Sequence, residues 1–314
     1  MKIVLFGFYK EQEKKLQNTF KEVNFINNPE DSIDKIDPDA VIAITRASLH
    51  EPYSKDVLMQ CKKLKWVHFP GAGVEEFMFE GIDNCNFIMT NGKIIQGPEV
   101  SDHAIALLLM LTRRIHYYLG GVNLADIPRP IELKEKKALV IGSGGIGLLI
   151  AEKLTAFGVE VSVLNNDSIP LIHSIKKIYN PSDISIALRN KDFVIMAAPL
   201  TIRSRKLINK RLLTSFKKGC YFVNVSRGKT VCIDAICLGL EKKIFDAVAL
   251  DVTDPEPLPR EHKIFSYPNA IITPHIAGMS DLLKIRLWDL ITNNLKRFTN
   301  NEKLLNIVDT KEGY

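Results

Sequence analysis

Residues Ala138-Leu139-Val140-Ile141-Gly142-Ser143-Gly144-Gly145-Ile146-Gly147 read as an apolar strand that runs directly into a glycine-rich turn. Leu148, Ile150, Ala151 and Leu154 follow at helical spacing, and Val159–Leu164 reads as a second strand. A strand, a GxGxxG turn and a helix in this order predict a dinucleotide-binding unit. Gly142 permits the tight turn, Gly144 lets the backbone approach a pyrophosphate, and Gly147 lets the helix pack closely on the strand. The helix then presents free N–H groups and the positive end of its dipole to the phosphates, around Gly145 and Ile146. The motif alone is weak, since any glycine-rich loop can match it. The flanking strand and helix give it weight.

Working outward from the turn, short apolar strands alternate with longer helix-period segments along the whole chain. On the N-terminal side, strands are expected at Lys2–Gly7, Ala40–Ile44, Trp66–Phe69 and Phe87–Met89. Helices are expected at Gln12–Phe20 and Lys55–Leu64, with one long helix over Glu99–Leu119. A turn-rich stretch, Gly120–Pro130, leads into the glycine-turn strand. On the other side, strands are expected at Phe193–Ala197, Tyr221–Asn224, Ala247–Leu250 and Ala270–Ile272. With Ala138–Ile141 and Val159–Leu164 these make six strands, enough for one doubly wound parallel sheet. From Ser280 a helix is expected, followed by a tail at Leu304–Val308.

The strand after the turn should end in Asp or Glu for NAD, because a carboxylate there accepts both ribose hydroxyls. Asn165 and Asn166 stand there instead, with Asp167 two places later. An uncharged Asn165 removes the repulsion that excludes a 2′-phosphate. The reading therefore leans to NADP and leaves NAD open. No Arg or Lys stands beside Asn165, and Arg203 in a later loop is a possible substitute.

Bulk properties exclude several classes. A hydrophobic fraction of 46% and a charged fraction of 25% suit a globular chain with a buried core. At 314 residues two domains are expected. The net charge of +6 is spread along the chain without a dense basic block, so nucleic acid is not the expected partner. The five cysteines show no CxxC pair, which argues against a zinc site or a disulfide framework and suits reduced cytoplasmic thiols. The N-terminus reads as a strand and not as a signal peptide, and Ala104–Leu111 is too short to span a bilayer, so no membrane association is expected.

Three polar stretches follow strands of the second half, where such sheets bind ligands. They are Asn224-Val225-Ser226-Arg227-Gly228, Asp251-Val252-Thr253-Asp254-Pro255-Glu256-Pro257 and Thr273-Pro274-His275-Ile276-Ala277-Gly278. Arg227 can hold a carboxylate and polarise a carbonyl, because guanidinium stays charged and forks onto carboxylate oxygens. His275 can give a proton near neutral pH. Glu256 can hydrogen-bond the far imidazole nitrogen, fixing the tautomer and raising the pKa. Each residue alone would more often be structural: a surface ion pair, a satisfied histidine, a loop acid. After the strand Trp66–Phe69, small residues at Ala72 and Gly73 would let backbone N–H groups reach a carboxylate.

Together these stretches resemble the D-isomer-specific 2-hydroxyacid dehydrogenase family, which includes phosphoglycerate, glycerate, D-lactate and formate dehydrogenases. The likeness starts at Pro70-Gly71-Ala72-Gly73-Val74 and passes through Val100-Ser101-Asp102-His103-Ala104 and the glycine turn. It continues through Ala198-Pro199-Leu200-Thr201, Ser226-Arg227-Gly228, Asp251-Val252, Glu256-Pro257 and Pro274-His275, in the family's order. The resemblance implies an α/β protein of two Rossmann-like domains with doubly wound parallel sheets, the cofactor domain inserted in the substrate domain. It places the substrate domain at 1–98 and 283–314 and the dinucleotide domain at 99–282. It implies that Arg227, Glu256 and His275 are catalytic, that Asp251 binds the nicotinamide carboxamide, and that Pro199 lines the cofactor. A homodimer through the 99–119 helix is implied in the same way. The expected reaction is hydride transfer between NAD(P)H and a small 2-oxo acid such as glyoxylate or hydroxypyruvate. Formate fits less well, because it has no carbonyl to protonate. A non-catalytic dinucleotide-sensing protein of the same fold is the alternative.

The sequence departs from the family's pattern at Asn165, at Asp102 where Glu is usual, and in a 120–130 connection that looks short and lacks a tryptophan. Its end at Tyr314 leaves no expected room for a regulatory C-terminal domain.

Overall fold

A computed structural model describes residues 1–6, 10–28, 42–45, 62–78, 80–166 and 175–314. Most of the expected helix Lys55–Leu64, the start of the strand Ala40–Ile44, and Asp167 lie outside the described residues. The chain forms two compact units, Met1–Ile95 with Asp281–Tyr314, and Gln96–Ser280.

The first unit holds β1 (Lys2–Phe6), α1 (Lys10–Thr19), β2 (Asn24–Asn28), β3 (Ile42–Thr45), β4 (Trp66–His68) and β5 (Ile88–Thr90). The strands pair in parallel in the order β2-β1-β3-β4-β5. Successive residues of a strand point to opposite faces, and the core follows that alternation. Ile3, Leu5 and Trp66 pack with Leu16, Leu287, Ile291 and Leu295, the last three from the helix Leu283–Thr299. Val4, Val67, Phe69 and Met89 pack with Val74, Ile82 and Val308 on the other side. Burying each large side chain contributes about 1.5–3 kcal/mol. The expected helix from Ser280 begins at Leu283, and the tail after it joins the sheet end, where Val308 N–H donates to Met89 O at 2.9 Å.

Strand β2 was not expected from the sequence. Asn24, Asn27 and Asn28 are poor strand formers, but at the sheet edge only one side needs a partner.

The second unit opens with α2 (Gly97–Thr112) and α3 (Ile115–Leu119). Where one helix was expected over Glu99–Leu119, the chain breaks at Arg114, which has φ of 61°. The Thr112 hydroxyl turns back to Leu108 O at 2.9 Å, and the buried Arg114 guanidinium reaches Tyr221 Oη at 2.9 Å and Asp246 Oδ2 at 2.5 Å. A partly desolvated ion pair compensates for a left-handed residue that a continuous helix would not allow.

The sheet that follows comprises β6 (Lys137–Ile141), β7 (Glu160–Leu164), β8 (Lys177–Tyr179), β9 (Phe193–Met196), β10 (Cys220–Asn224), β11 (Phe245–Leu250) and β12 (Ala270–Ile272). It has seven parallel strands in the order β12-β11-β10-β9-β6-β7-β8, one more than the six expected. The extra strand, β8, is a three-residue edge strand too short to carry a periodic signal. Every residue of β9 and β10 is buried, as a parallel strand covered on both faces requires. Helix α2 and α4 (Gly145–Ala156) cover one face through Ala104, Leu108, Leu111, Ile150, Ala151 and Leu154. The other face carries α6 (Ile233–Glu241), counting Ile184–Ala187 as α5, through Ala235, Ile236 and Leu240. The strand order reverses between β6 and β9, so the ligand crevice of this unit opens beyond Ile141 and Met196.

Candidate active site

The glycine turn lies at that crevice. Gly142 has φ of 91°, and its N–H donates to Leu164 O at 2.8 Å, tying the turn to the end of β7. A Cβ on Gly147 would sit 1.9 Å from Gly142 O, so any side chain there would push α4 off the turn. A Cβ on Gly144 would meet nothing within 4 Å, so the space above the turn is open. Helix α4 has no side-chain N-cap, and the buried Ser143 hydroxyl has no hydrogen-bond partner among the described residues. Open space, uncapped N–H groups and an orphaned buried hydroxyl fit a phosphate-bearing dinucleotide. Ala198 abuts Gly142, and the loop beyond it is braced by the Ser204 hydroxyl, which donates to Pro199 O at 2.6 Å. Asn165 follows β7 and gives its N–H to Tyr179 O at 3.0 Å, while Arg203 is exposed in the loop after β9.

Arg227 follows β10. Its carbonyl is held by three donors, the Asn224 side-chain amide at 3.2 Å, the Thr230 hydroxyl at 2.6 Å and the Thr230 N–H at 3.1 Å. Asn224 Oδ1 also accepts from the Ser226 N–H at 3.0 Å and hydroxyl at 2.9 Å. A Cβ on Gly228 would lie 1.9 Å from Thr253 O, so glycine is what lets the Arg227 loop touch the loop that carries Glu256.

His275 and Glu256 meet directly, with Nδ1 2.5 Å from Glu256 Oε1. Both side chains remain partly open to solvent, at 46% and 39%. His275 has φ of 54° and its N–H donates to Asp251 O at 2.8 Å, so the backbone as well as the ring is held. The hydrogen bond to Glu256 raises the imidazole pKa above its usual value, against burial and the Arg227 charge, which lower it. Burial pushes the Glu256 carboxyl up. The His275 bond and charge, the Thr253 N–H and the Arg227 charge outweigh burial and bring it below the usual range. Arg227 thus acts electrostatically on both partners.

Asp251 is buried at 1% exposure and holds the loop that carries His275. Its Oδ1 accepts from the Thr273 hydroxyl at 2.6 Å and the Ile276 N–H at 3.0 Å, and Oδ2 accepts from the Ala277 N–H at 3.0 Å. His103 on α2 adds Nε2 at 3.3 Å from Oδ1. Burial raises this carboxyl, but these donors outweigh it and hold it ionised. The sequence reading gave no role to His103, Thr273 or Asn224. Each is a polar residue inside a quoted motif; His103 and Thr273 meet Asp251 from distant parts of the chain, while Asn224 shapes its own loop through Ser226 and Arg227.

Ala72 and Gly73 lie in the other unit, in the loop after β4. The Asn91 side-chain amide donates to Ala72 O at 2.7 Å, and Gly92 N–H donates to Gly71 O at 2.8 Å. Residues 46–53 lie outside the described residues. No cluster of three or more His, Cys, Asp or Glu suited to a metal occurs among the described residues.

Residues 105–277, more than half of the chain, match the family model described as D-isomer specific 2-hydroxyacid dehydrogenase, NAD binding domain. The chain belongs to this family. It is similar to a glyoxylate reductase of Thermofilum pendens, 25% identical over 267 residues that cover 82% of this chain and 78% of the relative. It is also similar to a glyoxylate/hydroxypyruvate reductase A of Photorhabdus laumondii, 24% identical and covering 84% and 85% of the two chains. The fold matches a D-isomer specific 2-hydroxyacid dehydrogenase from Xanthobacter autotrophicus, solved with NADPH and MES. The TM-score is 0.84 over 99% of both chains at 21% identity. The family member described here is an NAD(P)-dependent oxidoreductase of the two-domain α/β type.

Proposed function

We propose that this dehydrogenase reduces a small 2-oxo acid of the glyoxylate or hydroxypyruvate kind to its D-2-hydroxy acid. The observation that carries the reading is the 2.5 Å His275–Glu256 hydrogen bond, with the Arg227 charge acting on both groups. The names of the similar reductases support the substrate class. The nicotinamide, when bound, supplies the hydride. Arg227 holds the substrate carboxylate and draws electron density from the carbonyl. His275 donates its Nε2 proton to the carbonyl oxygen as negative charge develops there, and Glu256 stabilises the imidazolium. Backbone N–H groups of Ala72 and Gly73 share the carboxylate.

Gly142, Gly144, Gly145, Ile146 and Gly147 hold the pyrophosphate, and Pro199 lines the same crevice. Asp251 Oδ2 accepts one N–H among the described contacts, which leaves a lone pair for the carboxamide. We assign residues 1–98 and 283–314 to substrate binding and 99–282 to the dinucleotide. Asn165 supports NADP over NAD, because it brings no charge to repel a 2′-phosphate. Steady-state rates with glyoxylate, hydroxypyruvate and pyruvate, each with NADPH and NADH, test the activity and this preference. Efficiency with NADPH should equal or exceed that with NADH. A strong NADH preference would contradict the role given to Asn165. Tight dinucleotide binding with no turnover would instead favour a sensing protein.

No described helix is long and apolar enough to cross a membrane. We assign the enzyme to the cytoplasm, supported by the free thiols of Cys85, Cys220, Cys232 and Cys237, and infer that it forms a homodimer. Ile115, Tyr118 and Leu119 of α3 are 41%, 48% and 76% exposed, a cluster suited to burial against a second copy. Sedimentation velocity at micromolar concentration should show a dimer, and Leu119→Glu should weaken it. A monomeric wild type would refute this interface.

A further inference from the structure

We infer that Asn91, at the end of β5, is the positioning residue that turns the Ala72 and Gly73 amides toward the substrate carboxylate. The inference rests on the proposed activity and deepens it. Asn91 is 1% exposed, and its polar groups are committed. Its Nδ2 donates to Ala72 O at 2.7 Å, and its Oδ1 accepts from Lys93 N–H at 3.3 Å. Its own N–H donates to Asn306 O at 3.1 Å, and its carbonyl accepts from Asn306 Nδ2 at 3.2 Å. The next residue, Gly92, donates its N–H to Gly71 O at 2.8 Å.

Two successive carbonyls, of Gly71 and Ala72, are therefore drawn toward the 91–92 segment. Among the described residues the cis peptides are Asp254-Pro255 and Glu256-Pro257, so the Gly71-Ala72 and Ala72-Gly73 bonds are trans. In a trans peptide the C=O and N–H point in opposite directions across one plane. Pinning the two carbonyls therefore turns the N–H groups of Ala72 and Gly73 to the opposite side. Two successive amides facing one way make an anion-binding concavity. Gly71 is oriented by the backbone N–H of Gly92, where a Cβ would sit 2.0 Å from Pro70 O, so that position admits no side chain. Ala72 depends on a side chain, so Asn91 is where a mutation can loosen the cradle.

The segment after Asn91 is over-determined in the same direction. Asn306 Nδ2 also donates to Lys93 O at 2.5 Å, and Lys93 Nζ donates to Ile307 O at 2.8 Å. Ile94 then takes φ of 78° with its side chain 61% exposed, a conformation a β-branched residue adopts only where its surroundings impose it.

The test compares glyoxylate with its methyl ester, which keeps the carbonyl and lacks the anionic carboxylate. Wild type, Asn91→Ala and Asn91→Ser are assayed with saturating NADPH, and thermal melts verify folding. Serine is small and polar but too short to span to Ala72 O. Either folded variant should raise KM for glyoxylate about tenfold, the scale of one hydrogen bond to a charged group. The kcat and the KM for NADPH should stay within about twofold, and the acid-over-ester preference in kcat/KM should fall about tenfold. Equal losses on acid and ester, or an unchanged preference, would show a merely structural role and overturn the inference. If the wild type turned over no 2-oxo acid, the proposed activity itself would fail, a result separable from any effect of the variants.

Discussion

His275→Ala is expected to lower kcat for 2-oxo acid reduction by about a hundred- to ten-thousand-fold, the range of a positioned general acid. Dinucleotide affinity should be unchanged, because the glycine turn at Gly142–Gly147, proposed to hold the pyrophosphate, lies on a different strand end. The pH dependence follows from the same hydrogen bond. Glu256 raises the His275 pKa, so the imidazolium persists to higher pH than a free histidine would allow. Reduction needs that protonated form. The rate should be level below the raised pKa and fall as pH increases through it. Oxidation of the hydroxy acid needs the neutral ring and should show the opposite limb. Glu256→Gln removes the largest cause of the upward shift, so the alkaline limb for reduction should move to lower pH. Stopped-flow or steady-state pH profiles read both effects. Full turnover in His275→Ala would remove His275 from the chemistry.

Arg227→Ala should cost about a thousandfold in kcat/KM, because one side chain is asked both to bind a carboxylate and to stabilise developing charge on the carbonyl oxygen. Both KM and kcat should worsen. Arg227→Lys should recover only part of the loss, since an ammonium keeps the charge but not the two-pronged geometry. Folding should be little affected. The local backbone is held through the Arg227 carbonyl by Asn224 and Thr230, neither of which needs the guanidinium. A pH signature separates this variant from the others. The Arg227 charge lowers the His275 pKa, so its removal should shift the alkaline limb upward, opposite to Glu256→Gln. A loss confined to protein stability, with normal kinetics in the folded fraction, would contradict the role.

The cofactor half of this fold is legible in the sequence because its information is local. Strand β10 is buried on both faces, apolar up to its last residue, Asn224, and leads into the polar run that carries Arg227. The glycine turn states its own geometry, down to the 1.9 Å approach that Gly147 permits. What the sequence conceals depends on partners far along the chain. The break at Arg114 is decided by Tyr221 and Asp246, more than a hundred positions away. Asp251 reads as a ligand contact, yet most of its described bonds fasten the segment from Thr273 to Ala277 around His275. Asn91 gives no signal of its own, because the role proposed for it lies in a bond to a loop nineteen residues earlier. Edge strands β2 and β8 escape for a simpler reason: β8 has three residues, β2 is rich in asparagine, and an edge position relaxes the demand for alternating apolar residues.

The most direct test of the whole account is product analysis after incubation of the purified enzyme with NADPH and hydroxypyruvate. Chiral chromatography should find D-glycerate accumulating in step with NADPH consumption, with neither change in the His275→Ala control. The L-isomer, or NADPH consumption without any hydroxy acid, would contradict it.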